Sequence, residues 1–292
     1  MKHKLTIILI LLGMFLATQF IGLYVVNHYS ENTLPYGMEP PEDVDPVSFF
    51  PSIIIAFIIA IALFFLLTKF KVEFILKLWF FVVIVLALGI SINSFLPKSQ
   101  FIPLISLIIA LPFAFFKMFK RNILVHNSTE LLIYPGIAAI FVPLLNIWTM
   151  ILLLILISVY DMWAVWKSKI MQKMAKYQIN TLKIFSGFFI PYLSKKQRQM
   201  IRNFKNKKLK LNKKKIKINI AILGGGDVIF PIIAGGVMLK TLGIWPAIFV
   251  ILGAALGLTY LFFFSEKKKF YPAMPYITAG IFLGMLISAI LF

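Results

Sequence analysis

The sequence is a succession of long apolar runs separated by short polar or basic segments. Nine runs are 16 to 24 residues long, close to the length at which an α-helix crosses a bilayer. They cover residues 5–26, 49–68, 74–92, 101–116, 129–145, 146–166, 216–239, 246–265 and 272–292. The fifth contains Pro135 and Pro143 and almost adjoins the sixth. The pattern predicts an all-α, polytopic membrane protein with nine transmembrane helices.

The first run is predicted to be a retained membrane span. It follows the basic residues Lys2 and Lys4, as the apolar core of a secretory signal peptide would. Its apolar core is longer than the usual 7 to 15 or so residues, and no small-x-small cleavage site closes it. We therefore count it among the nine spans.

Composition supports a membrane protein and excludes several chemistries. Hydrophobic residues make up 61% of the 292 residues and charged residues only 14%, whereas soluble domains average about 25% charged residues. A water-soluble enzyme is therefore excluded. The chain has no Cys, so disulfides, thiolate nucleophiles and sulfur-ligated metals or clusters are excluded as well.

The basic residues predict an orientation, because short loops rich in Lys and Arg remain in the cytoplasm. With nine spans and a cytoplasmic N-terminus, all of the 30 Lys and Arg except Lys98 and Lys240 fall on the cytoplasmic side. The first external loop, residues 27–48, has no Lys or Arg and contains five of the ten acidic residues. We expect a cell-membrane protein with a cytoplasmic N-terminus and an external C-terminus.

One long connection divides the chain into three parts. Residues 1–166 form a six-helix half, residues 167–217 a basic cytoplasmic loop, and residues 218–292 a three-helix half. The Lys-rich stretch 195–217 contains no acid, and we expect it to be disordered or to lie against anionic lipid headgroups. Nucleic-acid binding is the less favoured alternative. The apolar residues between 179 and 190 predict an interfacial helix or a segment that covers a site.

The few acidic residues single out one pair. Only Asp161 and Asp227 lie well inside apolar runs, whereas Glu130 is placed at the start of the fifth span. A charge inside the membrane costs roughly 2.5 to 3.5 kcal/mol on insertion scales, and such residues usually serve ion pathways or catalysis. At a rise of about 1.5 Å per residue, Asp161 lies about 9 Å and Asp227 about 15 Å from the cytoplasmic face. Two adjacent antiparallel helices can therefore bring the carboxylates together.

Two facing carboxylates have the chemistry of an aspartic protease. They do not both ionise easily and share a proton, so the charged one activates water while the protonated one polarises a carbonyl. Glycines 224–226 and Pro231 are poor helix formers, and unwound backbone there would admit water. A phosphate cradle is not indicated, because no strand is predicted before the glycines and no phosphate-loop spacing is present. Helix packing and ion conduction remain alternative roles for the pair.

Three short motifs resemble those of a known family. Tyr160-Asp161 matches a YD motif, Gly224-Gly225-Gly226-Asp227 matches GxGD, and Tyr271-Pro272-Ala273-Met274-Pro275 is similar to a PAL motif. With nine spans and a long loop between the two Asp helices, the chain resembles the presenilin group of GxGD intramembrane aspartyl proteases, in particular an archaeal member.

The resemblance implies a presenilin-like fold in which Asp161 and Asp227 are the catalytic pair. The substrate-binding residues that it implies are Tyr160, Gly224, Gly225, Gly226, Pro272, Ala273 and Met274. The expected substrates are single-pass membrane proteins with an external N-terminus, because the charge distribution matches presenilins and not the oppositely oriented signal-peptide peptidases. Two residues depart from the family pattern: Gly225 replaces a larger apolar residue, and Met274 replaces Leu at similar volume.

No metal or cofactor is predicted. The histidines His3, His28 and His126 lie outside the predicted spans and no HExxH motif exists, so zinc-dependent and Ser-His mechanisms lack a partner. The GxxxG pairs 253–257 and 280–284 predict close helix packing without chemistry. The competing functions are a proton- or cation-coupled transporter or channel that uses the same two Asp, and a pseudoenzyme that binds transmembrane helices without cutting them.

Overall fold

The structure, a computed structural model, describes residues 5–38, 46–70, 73–120, 122–168, 177, 184–192, 219–266 and 271–291. The long helices within these residues are α1 Leu5–Glu31, α2 Pro46–Lys69, α3 Glu73–Phe95, α4 Ile102–Phe119, α5 Ile123–Phe141, α6 Ile147–Met162, α7 Gly225–Leu242, α8 Ile244–Phe264 and α9 Met274–Leu291. Eight helices of the described chain are long and apolar enough to cross a membrane, and α2 adds a helix of 24 residues. The predicted all-α polytopic fold is confirmed.

Helix α7 occupies the centre of the fold, where it contacts α1, α5, α6, α8 and α9. Its residues from 231 to 238 are buried on every side of the helix, as expected of a helix without a polar face. Small residues allow its neighbours to approach closely: a Cβ atom at Gly236 would lie 2.7 Å from Val142 of the turn after α5. The middle of α7 is therefore held in place by several helices at once.

The fifth helix begins earlier than predicted, at Ile123 and not near residue 129. Asn122 is its N-cap, and the side-chain oxygen of Asn122 accepts a hydrogen bond of 2.9 Å from the N–H of Leu124. His126 and Glu130 therefore lie inside a helix, and the expectation that placed His126 outside the spans is wrong. The cap satisfies a backbone donor that an apolar residue at this position would leave unpaired.

A two-stranded antiparallel sheet precedes α7 and was not predicted. Strand β1 comprises Gly187–Tyr192 and strand β2 comprises Asn219–Gly224, with Gly187 opposite Gly224. The prediction that the seventh span is helical from residue 216 is wrong for its described first part, because residues 219–224 are extended and the helix begins only at Gly225.

Burial along β2 has the period of two that distinguishes a strand from a helix. Ala221 and Leu223 are buried, whereas Ile220 and Ile222 are exposed. The interfacial helix predicted within residues 179–190 is also wrong for its described part, since residues 184–186 are irregular and β1 starts at Gly187. Residues 179–183 and the basic stretch 195–217 lie outside the described residues.

Helices α8 and α9 approach each other through their glycines, which confirms the packing role predicted for the GxxxG pairs. A Cβ atom at Gly253 would lie 2.1 Å from the carbonyl oxygen of Gly280, and one at Gly280 would lie 2.1 Å from that of Gly253. Gly257 and Gly284 face backbone oxygens of the partner helix at 2.2 and 2.3 Å in the same way. Backbone atoms cannot move aside as a flexible side chain can, so these positions require glycine.

The variant Gly253→Ala should therefore lower the stability of the protein. The added methyl forces α8 and α9 apart, and overpacking of this kind costs about 1 to 3 kcal/mol. Thermal unfolding in detergent measures the effect. The matched control is Gly13→Ala in α1, where no atom of the described chain lies within 4 Å of the added atom and helix propensity favours Ala. Equal melting temperatures for the two variants would contradict this account of the helix contact.

Candidate active site

Asp161 lies in the last turn of α6 and only 6% of it is exposed. Its Oδ2 accepts a hydrogen bond of 3.1 Å from the backbone N–H of Met274, and the N–H of Ala273 donates to the same carboxylate. These donors lie at the start of α9, where the first N–H groups of a helix lack an intrahelical partner. The positive end of the helix dipole adds a favourable field. The start of α9 thus orients the Asp161 carboxylate.

A second contact fixes α6 against α9 one turn away from Asp161. The hydroxyl of Ser158 donates a hydrogen bond of 2.8 Å to the Thr278 hydroxyl, and both residues are buried. Directly after Asp161 the helix widens into a π-helical turn, Trp163–Lys167, a distortion that is frequent at functional sites. Asp161 therefore lies at the end of the regular α-helical part of α6, just before the distorted turn.

Asp227 is the third residue of α7 and lies three positions after the capping residue Gly224. The backbone N–H of Gly224 donates to the Asp227 carboxylate, which is the reach of an N3 side chain back to the N-cap. A Cβ atom at Gly224 would lie 3.1 Å from Asp227 Oδ2, tighter than ordinary contacts. A glycine at this position therefore leaves room for the carboxylate to fold back over the start of the helix.

The structure brings Asp161 and Asp227 together at the contact between α6 and α7. The two carboxylates are close enough to interact electrostatically, and the two helices pack directly against each other. Asp161 is buried, whereas Asp227 is partly exposed and the neighbouring Gly226 is exposed. Within the described residues, Asp227 is therefore less enclosed by protein than Asp161.

Gly225 occupies a position with no space for a side chain. A Cβ atom there would lie 2.8 Å from the Ser186 hydroxyl, 2.9 Å from the Tyr134 hydroxyl and 3.0 Å from Cε1 of the same ring. Tyr134 is 2% exposed and its ring packs edge-on against Phe188 of β1. Tyr134 and Ser186 thus occupy the space that a side chain at position 225 would need. At Gly226, in contrast, Phe230 is the only described residue that such a Cβ atom would meet within 4 Å, at 3.7 Å.

The remaining predicted site residues lie around Asp161. Tyr160 is close enough for an electrostatic interaction with Asp161, and its ring is 6.2 Å from that of Trp163. Pro272, Ala273 and Met274 are all buried where α9 begins. The structure therefore gathers the three motifs in one region, where Ala273 and Met274 contribute through their backbone.

A buried charged cluster beside this region was not predicted. Nζ of Lys117 lies 2.6 Å from Glu130 Oε1, and the two side chains are 4% and 1% exposed. His126 Nε2 is 3.6 Å from the same oxygen. The spacing of 126, 130 and 134 places His126, Glu130 and Tyr134 on one face of α5, and this spacing is the signal that could have revealed them. Asp161 and Asp227 are therefore not the only acidic residues inside the helical region.

The site is suited to acid–base chemistry by carboxylates. Within the described residues, no group of three or more His, Asp or Glu side chains could hold a metal ion. Contrary to expectation, a strand does precede the glycine run, but the spacing of a phosphate loop is still absent. Two carboxylates, each oriented by backbone N–H groups, can divide the roles of general base and general acid.

Comparison with known proteins identifies relatives of the whole chain. A family profile described as signal-peptide peptidase, presenilin aspartyl protease matches residues 12–292. A solved structure of a presenilin family intramembrane aspartate protease in a C222 crystal form has 20% sequence identity and a TM-score of 0.65, covering 98% of this chain and 99% of that one. A second such structure, in a P2 crystal form, has 20% identity and a TM-score of 0.64, covering 97% of each chain. A search of curated proteins finds no match.

Proposed function

Because the chain belongs to the signal-peptide peptidase and presenilin family of aspartyl proteases, we propose that it cuts peptide bonds within transmembrane helices of single-pass proteins. Asp161 and Asp227 are the catalytic pair. The observation that carries this proposal is the meeting of two oriented carboxylates, one held by the start of α9 and the other by the start of α7. In this proposal the site uses a GxGD motif and a water molecule, without a metal or cofactor.

Catalysis requires one proton shared between the two carboxyl groups. The ionised carboxylate takes a proton from a water molecule, whose oxygen attacks the scissile carbonyl carbon. The protonated carboxyl gives its proton to the carbonyl oxygen, so that a neutral tetrahedral intermediate forms. Its collapse breaks the C–N bond, returns a proton to the pair and transfers another to the leaving amine. The bond from Met274 N–H to Oδ2 holds Asp161 in position for these transfers.

A helical substrate has to unwind before it can react, because its own turns and hydrogen bonds shield each peptide bond. The freed N–H and C=O groups then need new partners in an environment that offers little water. An exposed strand edge supplies a row of such partners. We expect the sheet next to Asp227 to serve this purpose.

As far as the described residues show, one edge of the sheet, that of β1, is covered, and only the edge of β2 is open to a substrate. The outward-facing backbone groups of Gly187 and Phe189 on β1 are bonded to side chains of α5. Since backbone groups alternate in direction along a strand, β2 turns those of Ile220, Ile222 and Gly224 away from β1. Gly224 is bonded to Asp227. A substrate that pairs with β2 would therefore lead its backbone directly to the catalytic pair.

The charge distribution supports an orientation for substrate and enzyme. With the N-terminus in the cytoplasm, Lys98 and Lys240 alone among the Lys and Arg residues lie outside. Substrates would then be single-pass proteins with an external N-terminus, which have the membrane orientation expected for substrates of presenilin-like enzymes. The basic stretch 195–217 would bind anionic headgroups on the cytoplasmic side.

Purified protein in liposomes should cleave a single-pass reporter with an external N-terminus. Mass spectrometry of the products would place the cut within the transmembrane segment. A matched reporter with two glycines near the cut should react faster, because its helix unwinds more easily. Ion flux that depends on the two Asp, without any cleavage, would instead support a transporter. Binding of an intact reporter without cleavage would support a pseudoenzyme, and either result would overturn the proposal.

A further inference from the structure

The first two turns of α5 cover the outer edge of β1 with side chains. The carboxylate of Glu130 accepts a hydrogen bond of 3.4 Å from Gly187 N–H, and the ring of His126 lies 2.8 Å from Gly187 O. Asn127 forms two bonds with Phe189: its Oδ1 accepts from the N–H at 3.3 Å and its Nδ2 donates to the C=O at 3.1 Å. The backbone groups that a free strand edge would offer to another strand are thus occupied.

The ion pair with Lys117 fixes the position of Glu130. Lys117 comes from α4, and its ammonium lies 2.6 Å from the same oxygen that accepts from Gly187 N–H. Burying two charges is expensive, and a well-packed apolar pair is often as stable as a buried ion pair. Stability alone therefore gives little reason for charged residues at this place. A positional role accounts for them, because the pair ties α4, α5 and β1 to one point.

The same face of α5 reaches the turn that carries Asp227. Gly187 is opposite Gly224 in the sheet, and Gly224 N–H is bonded to the Asp227 carboxylate. Tyr134, one turn after Glu130, is packed against Gly225. An isolated two-stranded hairpin is marginally stable at best, so the described sheet depends on the helices packed against it, among which α5 makes the most extensive contact with β1.

We propose that Glu130, held by Lys117, is a positioning residue that fixes β1 and, through it, the substrate-pairing edge of β2 next to Asp227. This inference rests on the proposed function. Glu130 does not touch the reacting atoms; it sets which peptide bond of the substrate reaches them. Without it, β2 loses its fixed partner, and a substrate strand can slip by two residues, the smallest shift that keeps its side chains on the same faces.

Two double variants test this role without leaving a buried charge unpaired. Lys117→Met/Glu130→Leu removes the pair and the acceptor for Gly187 N–H. Lys117→Met/Glu130→Gln removes the charges but keeps a carbonyl oxygen in place of the acceptor. The single variant Lys240→Met, at the other end of the molecule, controls for the loss of one Lys. Thermal unfolding in detergent establishes that each variant is folded.

The Leu variant should cut the reporter at additional bonds, displaced by two residues from the parental site. Its kcat/KM should fall about tenfold, because the binding edge is no longer preorganised. Hydrogen–deuterium exchange over residues 184–192 should become about tenfold faster as β1 is released. The Gln variant and Lys240→Met should keep the parental cut.

An unchanged cleavage site and unchanged exchange in the folded Leu variant would overturn the inference. Loss of the parental site in the Gln variant would also overturn it, since the acceptor for Gly187 would still be present. Exchange does not require proteolysis, so it separates the two proposals. A parent protein that never cleaves the reporter contradicts the proposed function, whereas slow exchange of β1 in the Leu variant contradicts the role of Glu130.

Discussion

Replacement of either Asp161 or Asp227 by Asn should abolish cleavage of the single-pass reporter while the protein stays folded. Asn has almost the shape of Asp and still offers a carbonyl oxygen to the N–H of Met274 or Gly224. The Asn amide neither binds nor releases a proton as a carboxyl group does, so the pair can no longer act as general base and general acid. General acid or base catalysis by one positioned side chain contributes roughly 10² to 10⁴ in rate. When two residues act as a unit, replacing one of them removes the contribution of both. We expect a loss of at least about a thousandfold for each variant.

Cleavage rates and melting temperatures of the two variants, measured side by side, check this result. The control is Glu31→Gln, which neutralises an exposed carboxylate at the end of α1 and should leave the rate near that of the parent. Measurable turnover in either Asp variant at more than about one thousandth of the parental rate would refute the assignment of the pair. A large fall in melting temperature would instead show that the residue is needed for folding.

The variant Gly225→Leu should also lose most activity, although it restores the larger apolar residue of the family pattern. The new side chain would collide with the hydroxyls of Ser186 and Tyr134 at 2.8 and 2.9 Å from its first carbon. The start of α7 would have to move, and Asp227 lies only two residues further. Misplacement of a catalytic group by about 1 Å can cost a hundredfold in rate, and we expect a loss of this order.

The second substitution Tyr134→Ala should restore part of the activity of Gly225→Leu. It vacates the volume that the new side chain needs, whereas Tyr134→Ala alone leaves a cavity that costs about 3 to 5 kcal/mol. A double-mutant cycle of cleavage rates and unfolding free energies measures the coupling. Gly226→Ala, where Phe230 is the only neighbour among the residues that the structure describes, should keep the parental melting temperature. Parental activity in the single variant Gly225→Leu would contradict the proposal that Tyr134 and a side chain at position 225 compete for the same space.

The helices could be predicted from sequence because each of them has its signal within its own residues. An apolar run of about 20 residues spans a bilayer whatever lies elsewhere in the chain. The pair Asp161 and Asp227 could be identified from sequence for a related reason, since carboxylates inside such apolar runs are rare. The two carboxylates do interact electrostatically in the structure, although the depth expected for Asp227 assumed a helix over residues 219–224, which are extended.

The sheet and the charged cluster could not be predicted because their signals lie between distant segments. Residues 219–224 are as apolar as the beginning of a helix, and only pairing with β1 makes them extended. Glu130 follows His126, Asn127, Ser128 and Thr129, a polar stretch that is typical of a loop. It is buried because Lys117 of another helix and the backbone of Gly187 satisfy it. Neither partner can be identified from the local pattern around Glu130.

The bond between Met274 and Asp161 has a consequence for how related sequences are recognised. The donor is a backbone N–H, which every amino acid except proline can supply. The side chain at position 274 can therefore drift among apolar residues of similar volume while the carboxylate keeps its partner. A search pattern that demands leucine at this place would miss chains such as this one, whereas a pattern that forbids only proline would retain them.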